Sequence, residues 1–356
     1  MKQLLITLSL IALAGYAIAA APVVSNVVAT PSAGQVTISY DLAADTDCAV
    51  TLLISADNGV SYNDIPPTAV SGDIGNSVTV GNGKQIIWHP AGDGMAVGTD
   101  YKAKVIARDV DDFILVEGGT FNNGTSDVTL SSFYMDKYEI TQAEYQAVMG
   151  VNPASGYGVG SNYPVYYVSW FKAIEYCNRR SIQEGLTPCY SYSTYGTNPD
   201  NWPAGWNSSN TNHTNVNCNW TANGYRLPTE MEWMFAAKGG NQSQGYTYSG
   251  SNSIGDVAWY TSNSGSTTHT VGTKAANELG TFDMSGNVWE WVWDIYGSYP
   301  SGSQNNPTGA NSGSFRVRRG GSWNYNAYKC TVSYRNYNGA AYSSYGIGFR
   351  CVRVSP

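Results

Sequence analysis

Beyond Gly239-Gly240 the chain runs for about a hundred residues through Gly, Ser, Asn, Tyr and Trp with little regular periodicity. Such a segment has no long helix or ladder to absorb its backbone donors and acceptors, so it must satisfy them locally. It therefore needs staples beyond a plain core: buried Trp and Tyr, a bound metal, or disulfides. Composition agrees with a folded, aromatic-rich chain. Of 356 residues only 13% are charged, while 13% are aromatic, with 27 Tyr and 11 Trp; an average domain carries about 25% charge. Few charges and many aromatics exclude disorder and heptad coiled coils. A net charge of −7 and a pI near 4.9 leave no electrostatic footprint for nucleic acid. His89, His213 and His269 are the only imidazoles and are far apart, which argues against a multi-His metal centre.

Residues 1–21 read as a cleaved secretory signal peptide: Lys2, an apolar run too short to span a bilayer, then Ala17-Ile18-Ala19. The expected location is secreted, cell-surface or periplasmic, with no later membrane span and with disulfides permitted. Residues 22–108 carry short runs of Val, Ile, Thr and Tyr alternation at Pro22–Val28, Gln35–Asp41, Ala49–Ser55, Ser77–Val80, Gln85–His89 and Tyr101–Arg108. Turn clusters separate them, which predicts an all-β sandwich of immunoglobulin or fibronectin-III type serving as a spacer or docking module.

From residue 109 to 356 the pattern changes to α+β. Thr141 and Glu144 form a capping box that opens a helix closed by Gly150. Ser169 caps a second helix with Trp170, Ala173, Ile174 and Cys177 on one face. Thr229 and Glu232 open a third that ends at Gly239-Gly240. The cysteines are Cys48, Cys177, Cys189, Cys218, Cys330 and Cys351, with no C-x-x-C pair, so zinc-knuckle and thioredoxin-like readings drop out. Their connectivity is open from sequence; Cys48 stands by itself in the first segment.

Four phrases carry more than composition: Tyr138–Tyr145 (YEITQAEY), Gly224–Glu230 (GYRLPTE), Asp283–Trp291 (DMSGNVWEW) and Arg319–Trp323 (RGGSW), the last followed by Gly348-Phe349-Arg350. In order and spacing they resemble the formylglycine-generating enzymes, or sulfatase-modifying factors, over roughly residues 110–356. The resemblance implies a loop-rich, C-type-lectin-like fold. It implies an oxidase that converts a sulfatase cysteine to formylglycine with copper(I) held by two thiolates, soft donors that suit that ion. Tyr325 stands where the first thiolate belongs, and Cys330 answers to the second. A phenol does not replace a thiolate for copper(I), so the oxidase is the alternative and a non-catalytic, ligand-binding module is the expectation. Ser322 and Trp289 line the family's cleft and are retained, though a turn serine and a packed tryptophan explain them equally well. Neither a Gly-x-Ser-x-Gly elbow nor the three-His iron motif of the family's thiol-oxidising relatives is present.

The resemblance further implies a structural calcium held by Asp283, Glu290 and the carbonyls of Gly286 and Val288, an oxygen set that a hard cation prefers. Glu290 in a simple salt bridge is the other reading. A second calcium loop within 256–263 matches too loosely to assign. A disulfide from Cys177 to Cys351 is likewise implied, worth roughly 4–5 kcal/mol in the chain-entropy account. Cys189 and Cys218 bracket an insertion and form a second candidate bridge.

Residues 324–347 use a narrow alphabet. Apart from Lys329, Cys330 and Arg335, every residue is Asn, Tyr, Ala, Thr, Val, Ser, Gly or Ile, the set reached from an Asn codon by replacing its adenines. Fixed words flank the stretch. It looks like the variable region of proteins diversified by retroelements, some of which use the same lectin-like fold. Tyr gives rigid amphipathic area, while Ser, Gly and Asn give adaptable hydrogen bonds. Trp323, Asn324, Tyr325, Asn326, Tyr328, Tyr334, Asn336, Tyr337, Asn338, Tyr342 and Tyr345 are expected to contact a ligand, protein or carbohydrate. A polar structural loop of ordinary composition is the competing account.

Overall fold

A computed structural model describes residues 22–354 except 33, 45–46, 56–57, 59–68, 96–100 and 110–112. Residues 1–21, with the signal-peptide reading, lie outside the described residues. No described helix is long and apolar enough to cross a membrane.

The first segment is two antiparallel sheets. Strands β1 (Val23–Ser32), β2 (Gln35–Ala43), β3 (Cys48–Ser55), β4 (Val70–Gly72), β5 (Gly75–Val78), β6 (Gly81–Trp88) and β7 (Lys102–Asp109) sort into the orders β1-β2-β6-β4 and β5-β3-β7. Period-two alternation explains the packing. Val36, Ile38, Tyr40 and Leu42 of β2 point inward, as do Val50, Leu52 and Ile54 of β3, and both sets join one core with Trp88. Cys48 is buried in that core.

The second segment is mixed α+β with much loop. It contains β8 (Phe113–Val116), β9 (Gly119–Asn122), β10 (Asp127–Leu130), β11 (Phe133–Asp136), α1 (Gln142–Met149), α2 (Trp170–Gln183), β12 (Tyr190–Tyr192), β13 (Val216–Cys218) and α3 (Glu230–Ala237). There follow α4 (Ile254–Val257), β14 (Trp289–Ile295), β15 (Gln304–Asn305), β16 (Arg316–Arg319), β17 (Arg335–Asn338), β18 (Ile347–Gly348) and β19 (Val352–Val354). Both expected capping boxes form at Thr141 and Thr229, and Ser169 caps α2.

The sheet β17-β16-β14-β18 organises this segment. One of its faces shares a core with α2 through Trp289, Trp291, Trp170 and Phe171. The other shares a core with α3 through Val292, Val317, Trp233 and Met231. The phrases singled out in sequence are the joints between these layers. Gly286 N–H donates to the Gly320 carbonyl, and Trp323 N–H to the Asn287 carbonyl. Asn287 Nδ2 and Val288 N–H both donate to Glu139. Arg226 and Val352 exchange backbone hydrogen bonds, while Arg226 grips Glu232 with two guanidinium nitrogens at 2.7 Å. Loop-rich backbone is thus satisfied by fixed polar contacts between distant words of the chain.

Candidate functional site

The turn from Gly320 to Cys330 builds the site. Gly320 and Gly321 have φ of +93° and +79°, which L side chains rarely adopt. A Cβ on Gly321 would also sit 2.5 Å from Cys330 Sγ, so two consecutive glycines let the chain fold back over Cys330. Ser322 is buried and its hydroxyl donates to Asn324 Oδ1 at 2.7 Å. No imidazole serves it: the His269 ring stacks on Trp259 at 3.6 Å, and its Nε2 lies 2.8 Å from the Ser264 carbonyl.

Trp289 forms the floor. Its indole is fully buried and meets the Tyr325 ring edge-on at 5.5 Å and Tyr334 at 6.1 Å. Tyr328 packs against Tyr334, and Lys329 Nζ lies 4.5 Å from the Tyr325 ring centre. Arg318, from β16, places its guanidinium 5.0 Å from the Trp289 ring. A second aromatic group, Tyr157, Trp323 and Tyr345, closes the neighbouring edge with centroid distances of 4.8–5.6 Å.

The expected ligand-contacting residues divide into distinct environments. Tyr328 and Tyr342 are exposed, at 57% and 44%, as is Asn326. Asn324, Tyr325, Tyr334, Asn336, Asn338 and Tyr345 are half-buried. Trp323 is buried, its Nε1 donating to the Tyr345 carbonyl. The single face expected over 323–347 is divided by strand alternation. In the β16–β17 ladder Arg318 pairs with Asn336, while Val317 pairs with Tyr337, so Tyr337 projects to the side opposite Arg318. There it meets Tyr296 at 4.2 Å and Phe315 at 5.0 Å. On that side too, a shallow cleft lies between α3 and the 294–310 segment, lined by Glu230, Asp294, Tyr299 and Arg335 among others.

Cys330 is fully buried, and burial pushes its thiol up to about 12. The other thiols of this segment gather elsewhere. Cys177 Sγ and Cys351 Sγ lie 3.7 Å apart, and Cys218 faces Tyr190, next to Cys189, across the β12–β13 ladder. None is in a disulfide. Copper(I) needs at least two soft sulfur donors. One buried neutral thiol with Tyr325 at the other position does not fit that ion.

For calcium the residues fit in part. Asp283 is buried; Oδ2 accepts from Gly272 N–H at 2.7 Å and Oδ1 has no partner among the described residues. Burial pushes Asp283 up to about 6, against the pull of the Gly272 N–H and Arg350. Glu290 is committed elsewhere: Oε1 and Oε2 both accept from Arg350, and Oε2 also accepts from Trp233 Nε1. Gly286 and Val288 follow Asp283 in the turn, their N–H groups satisfied by Gly320 and Glu139. Asp283 fits a hard cation, Glu290 in this arrangement does not, and among the described residues no three His, Cys, Asp or Glu side chains are placed to hold one metal ion together. Glu139 joins Asp283 and Glu290 around Arg350 and is held well above the usual carboxylate range, by burial first and by those two carboxylates next.

Sequence reasoning passed over Arg318 and Glu139 as site residues. The alternation in Arg316-Val317-Arg318-Arg319 is the one local signal for Arg318, and it requires knowing that this run is a strand.

Residues 100–355 match the sulfatase-modifying factor enzyme 1-like domain. The chaperone protein LppX of Paenibacillus barcinonensis is 42% identical over 252 residues, covering 63% of this chain and 82% of LppX. The formylglycine-generating enzyme of Mus musculus is 28% identical over 282 residues, covering 66% and 73% of the two chains. Among solved structures, Treponema denticola variable protein 1 aligns with a TM-score of 0.59 at 33% identity, over 68% of this chain and 94% of that one. By that match, and by a fold jointed at the very phrases that suggested it, the chain belongs to the sulfatase-modifying factor family.

Proposed function

We propose that this is an exported protein whose sulfatase-modifying-factor domain presents an adaptable ligand-binding face instead of carrying out copper oxidation. The carrying observation is Cys330: a buried, neutral thiol with a tyrosine where a second thiolate would stand. Tyr325, Tyr328, Tyr334 and Tyr342 supply rigid aromatic area, and Asn324, Asn326 and Asn336 supply hydrogen-bond partners of either sense. Likeness to a solved variable protein and to a relative named a chaperone supports a binding role. Residues 324–347 act as the diversified segment, and the neighbouring DNA tests that: a near-copy template with adenines at these codons supports it, and its absence removes diversification while leaving binding in place. Calcium, in this reading, is a structural ion at Asp283 and the following carbonyls, with Glu290 kept by Arg350. Titrating the reduced protein with copper(I) against a chromophoric chelator decides the central point. Weak, non-stoichiometric uptake and no oxidation of a cysteine peptide are expected; tight one-to-one uptake with peptide oxidation would restore the oxidase.

A further inference from the structure

From Ile295 to Pro356 the chain holds seven Lys and Arg side chains and no Asp or Glu, although the whole molecule has a net charge of −7. Three of these cations are matched by acids from elsewhere. Arg319 and Arg335 face Glu230, and Arg350 faces Glu290. Arg316 gives Nη1 and Nη2 to the Trp293 and His213 carbonyls, while its Nε is without a partner among the described residues. Arg318 is 7% exposed and, like Arg316, has no carboxylate within ion-pair distance among the described residues. Burial apart, the groups acting on it are the hydroxyls of Tyr325, which also hydrogen-bonds to it, Tyr342 and Tyr334. Among the described residues its Nε, like that of Arg316 and Arg319, has no hydrogen-bond partner, and neither has the indole Nε1 of Trp289, the ring beneath it.

Two buried N–H donors in contacting side chains, one of them cationic, lack an acceptor. Leaving such groups unmatched is costly, and burial accordingly pulls the Arg318 guanidinium below its usual range. An ionised carboxylate only accepts, and its two oxygens match the guanidinium fork. Lys329, beside the Tyr325 and Tyr328 rings, adds a second positive charge at the rim. The asparagines around the rim can pair with both the N–H and the C=O of a peptide group.

We propose that the Arg318–Trp289 floor, rimmed by Tyr325, Tyr334, Tyr342 and Lys329, takes a carboxylate side chain from an acidic peptide segment of a protein ligand. This rests on reading the face as a binding surface and names what that surface recognises. Asp or Glu enters between the tyrosines, its oxygens accept from Arg318, and the flanking peptide lies along Tyr328 and Asn326. A peptide is favoured over an acidic polysaccharide because the aromatic-and-amide rim has the makeup of protein-recognition loops.

The test uses the full exported chain and poly-L-glutamate as probe, read by biolayer interferometry at fixed ionic strength, with polygalacturonate as the saccharide carboxylate and inorganic phosphate as competitor. Saturable binding to poly-L-glutamate is expected. R318Q weakens it by about tenfold or more, and R318K, which keeps the charge but loses the fork, by about threefold or more. K329Q weakens it by about threefold, and Y337A, on the opposite side of the sheet, leaves it within about twofold. R318K carries the decision if R318Q fails to fold. Binding indifferent to both Arg318 variants, equal or stronger binding of polygalacturonate, or loss of binding to phosphate at matched ionic strength each overturns the proposal. The copper titration is untouched by any of these results, so the failure of this inference and the failure of the non-catalytic reading are told apart.

Discussion

Glu290 and Arg350 form a two-point ion pair, Nε to Oε2 at 2.7 Å and Nη2 to Oε1 at 2.8 Å, with neither side chain exposed. Arg350 also donates to the carbonyls of Asp136 and Phe282, and Glu290 also accepts from Trp233. The pair therefore joins β14, α3 and the carboxy-terminal strand. Removing one partner leaves the other charge buried, at a cost of about 3–5 kcal/mol. E290Q should lower stability to urea by that amount, whereas the double change E290Q with R350M should recover part of it. A loss under about 1 kcal/mol for E290Q would mean that the pair is more solvated than its geometry says.

Gly321→Ala combines two penalties. The φ of +79° strains any L residue, and the added Cβ meets Cys330 Sγ at 2.5 Å and Lys329 O at 2.9 Å. Backbone strain and overpacking together should cost about 2–4 kcal/mol. The change should also disturb Tyr325 and Tyr328, which lie on the same turn. Thermal unfolding and the fluorescence of the wild-type and G321A proteins check both effects; an unchanged midpoint would contradict this account of the double glycine.

How much of this was legible in sequence depended on distance along the chain. The capping boxes at Thr141 and Thr229 were readable because each closes within three residues. The phrases around Asn287 and Ser322 were readable as words, but their bonding was not: Glu139 reaches Asn287 across 148 residues. The division of residues 323–347 into two faces was hidden because Arg335-Asn336-Tyr337-Asn338 has no apolar alternation to reveal a strand. Only the pairing with β16 assigns Asn336 and Tyr337 to opposite sides. Likewise the sequence around Glu290 suits either a calcium donor or a salt-bridge partner, and the deciding residue, Arg350, which occupies both of its oxygens, lies sixty residues away.

Cys177 and Cys351 are the pair placed for oxidation, with sulfurs 3.7 Å apart in a buried site. Forming the bond requires an approach to about 2.05 Å. Protein matured under oxidising conditions should yield a cross-linked Cys177–Cys351 peptide by mass spectrometry, with Cys330 alkylated only after unfolding. C177S should lose roughly 3–5 kcal/mol relative to the oxidised wild type and nothing relative to the reduced one. Recovery of Cys330 in a cross-link would contradict the isolation of its thiol.

Calcium should act through Asp283. Its unpartnered Oδ1 and the surplus of carboxylates around Arg350 mean that a bound cation relieves a buried negative charge. At saturating calcium and neutral pH the midpoint of thermal unfolding should rise by about 5 °C. D283N should abolish the response. An equal rise in wild type and variant would place the ion elsewhere, and no rise in either would remove structural calcium from the proposal.

Asp136 predicts a pH dependence of defined sign. It is buried beneath the carboxy-terminal strand, its Oδ2 accepting from Cys351 N–H at 2.6 Å and its Oδ1 lying 3.7 Å from Arg180 Nη1. Burial pushes it up to about 7; Glu144 adds to the rise, and Arg180, the Cys351 N–H and Arg350 oppose it. In the unfolded chain the same carboxyl titrates near ~3.9. Between those values the folded state binds more protons than the unfolded one, so its contribution to stability is full below about pH 4 and is lost as pH rises through 7. His213 has the opposite sense. Burial and Arg316 push it down to about 4, so it releases its proton on folding and favours the folded state as pH rises from about 4 to 6.5. Total stability between pH 5 and 8 mixes these slopes, together with that of Asp283, so the informative quantity is the difference between wild type and D136N. Asn keeps an acceptor for the Cys351 N–H and removes the titration. The urea midpoint of D136N should therefore gain on that of the wild type as pH is raised from 5 to 8, most steeply between 5 and about 6.5, and level off above 7. Parallel curves for the two proteins would show that Asp136 is ionised throughout this range and that Arg180 holds it more closely than 3.7 Å implies.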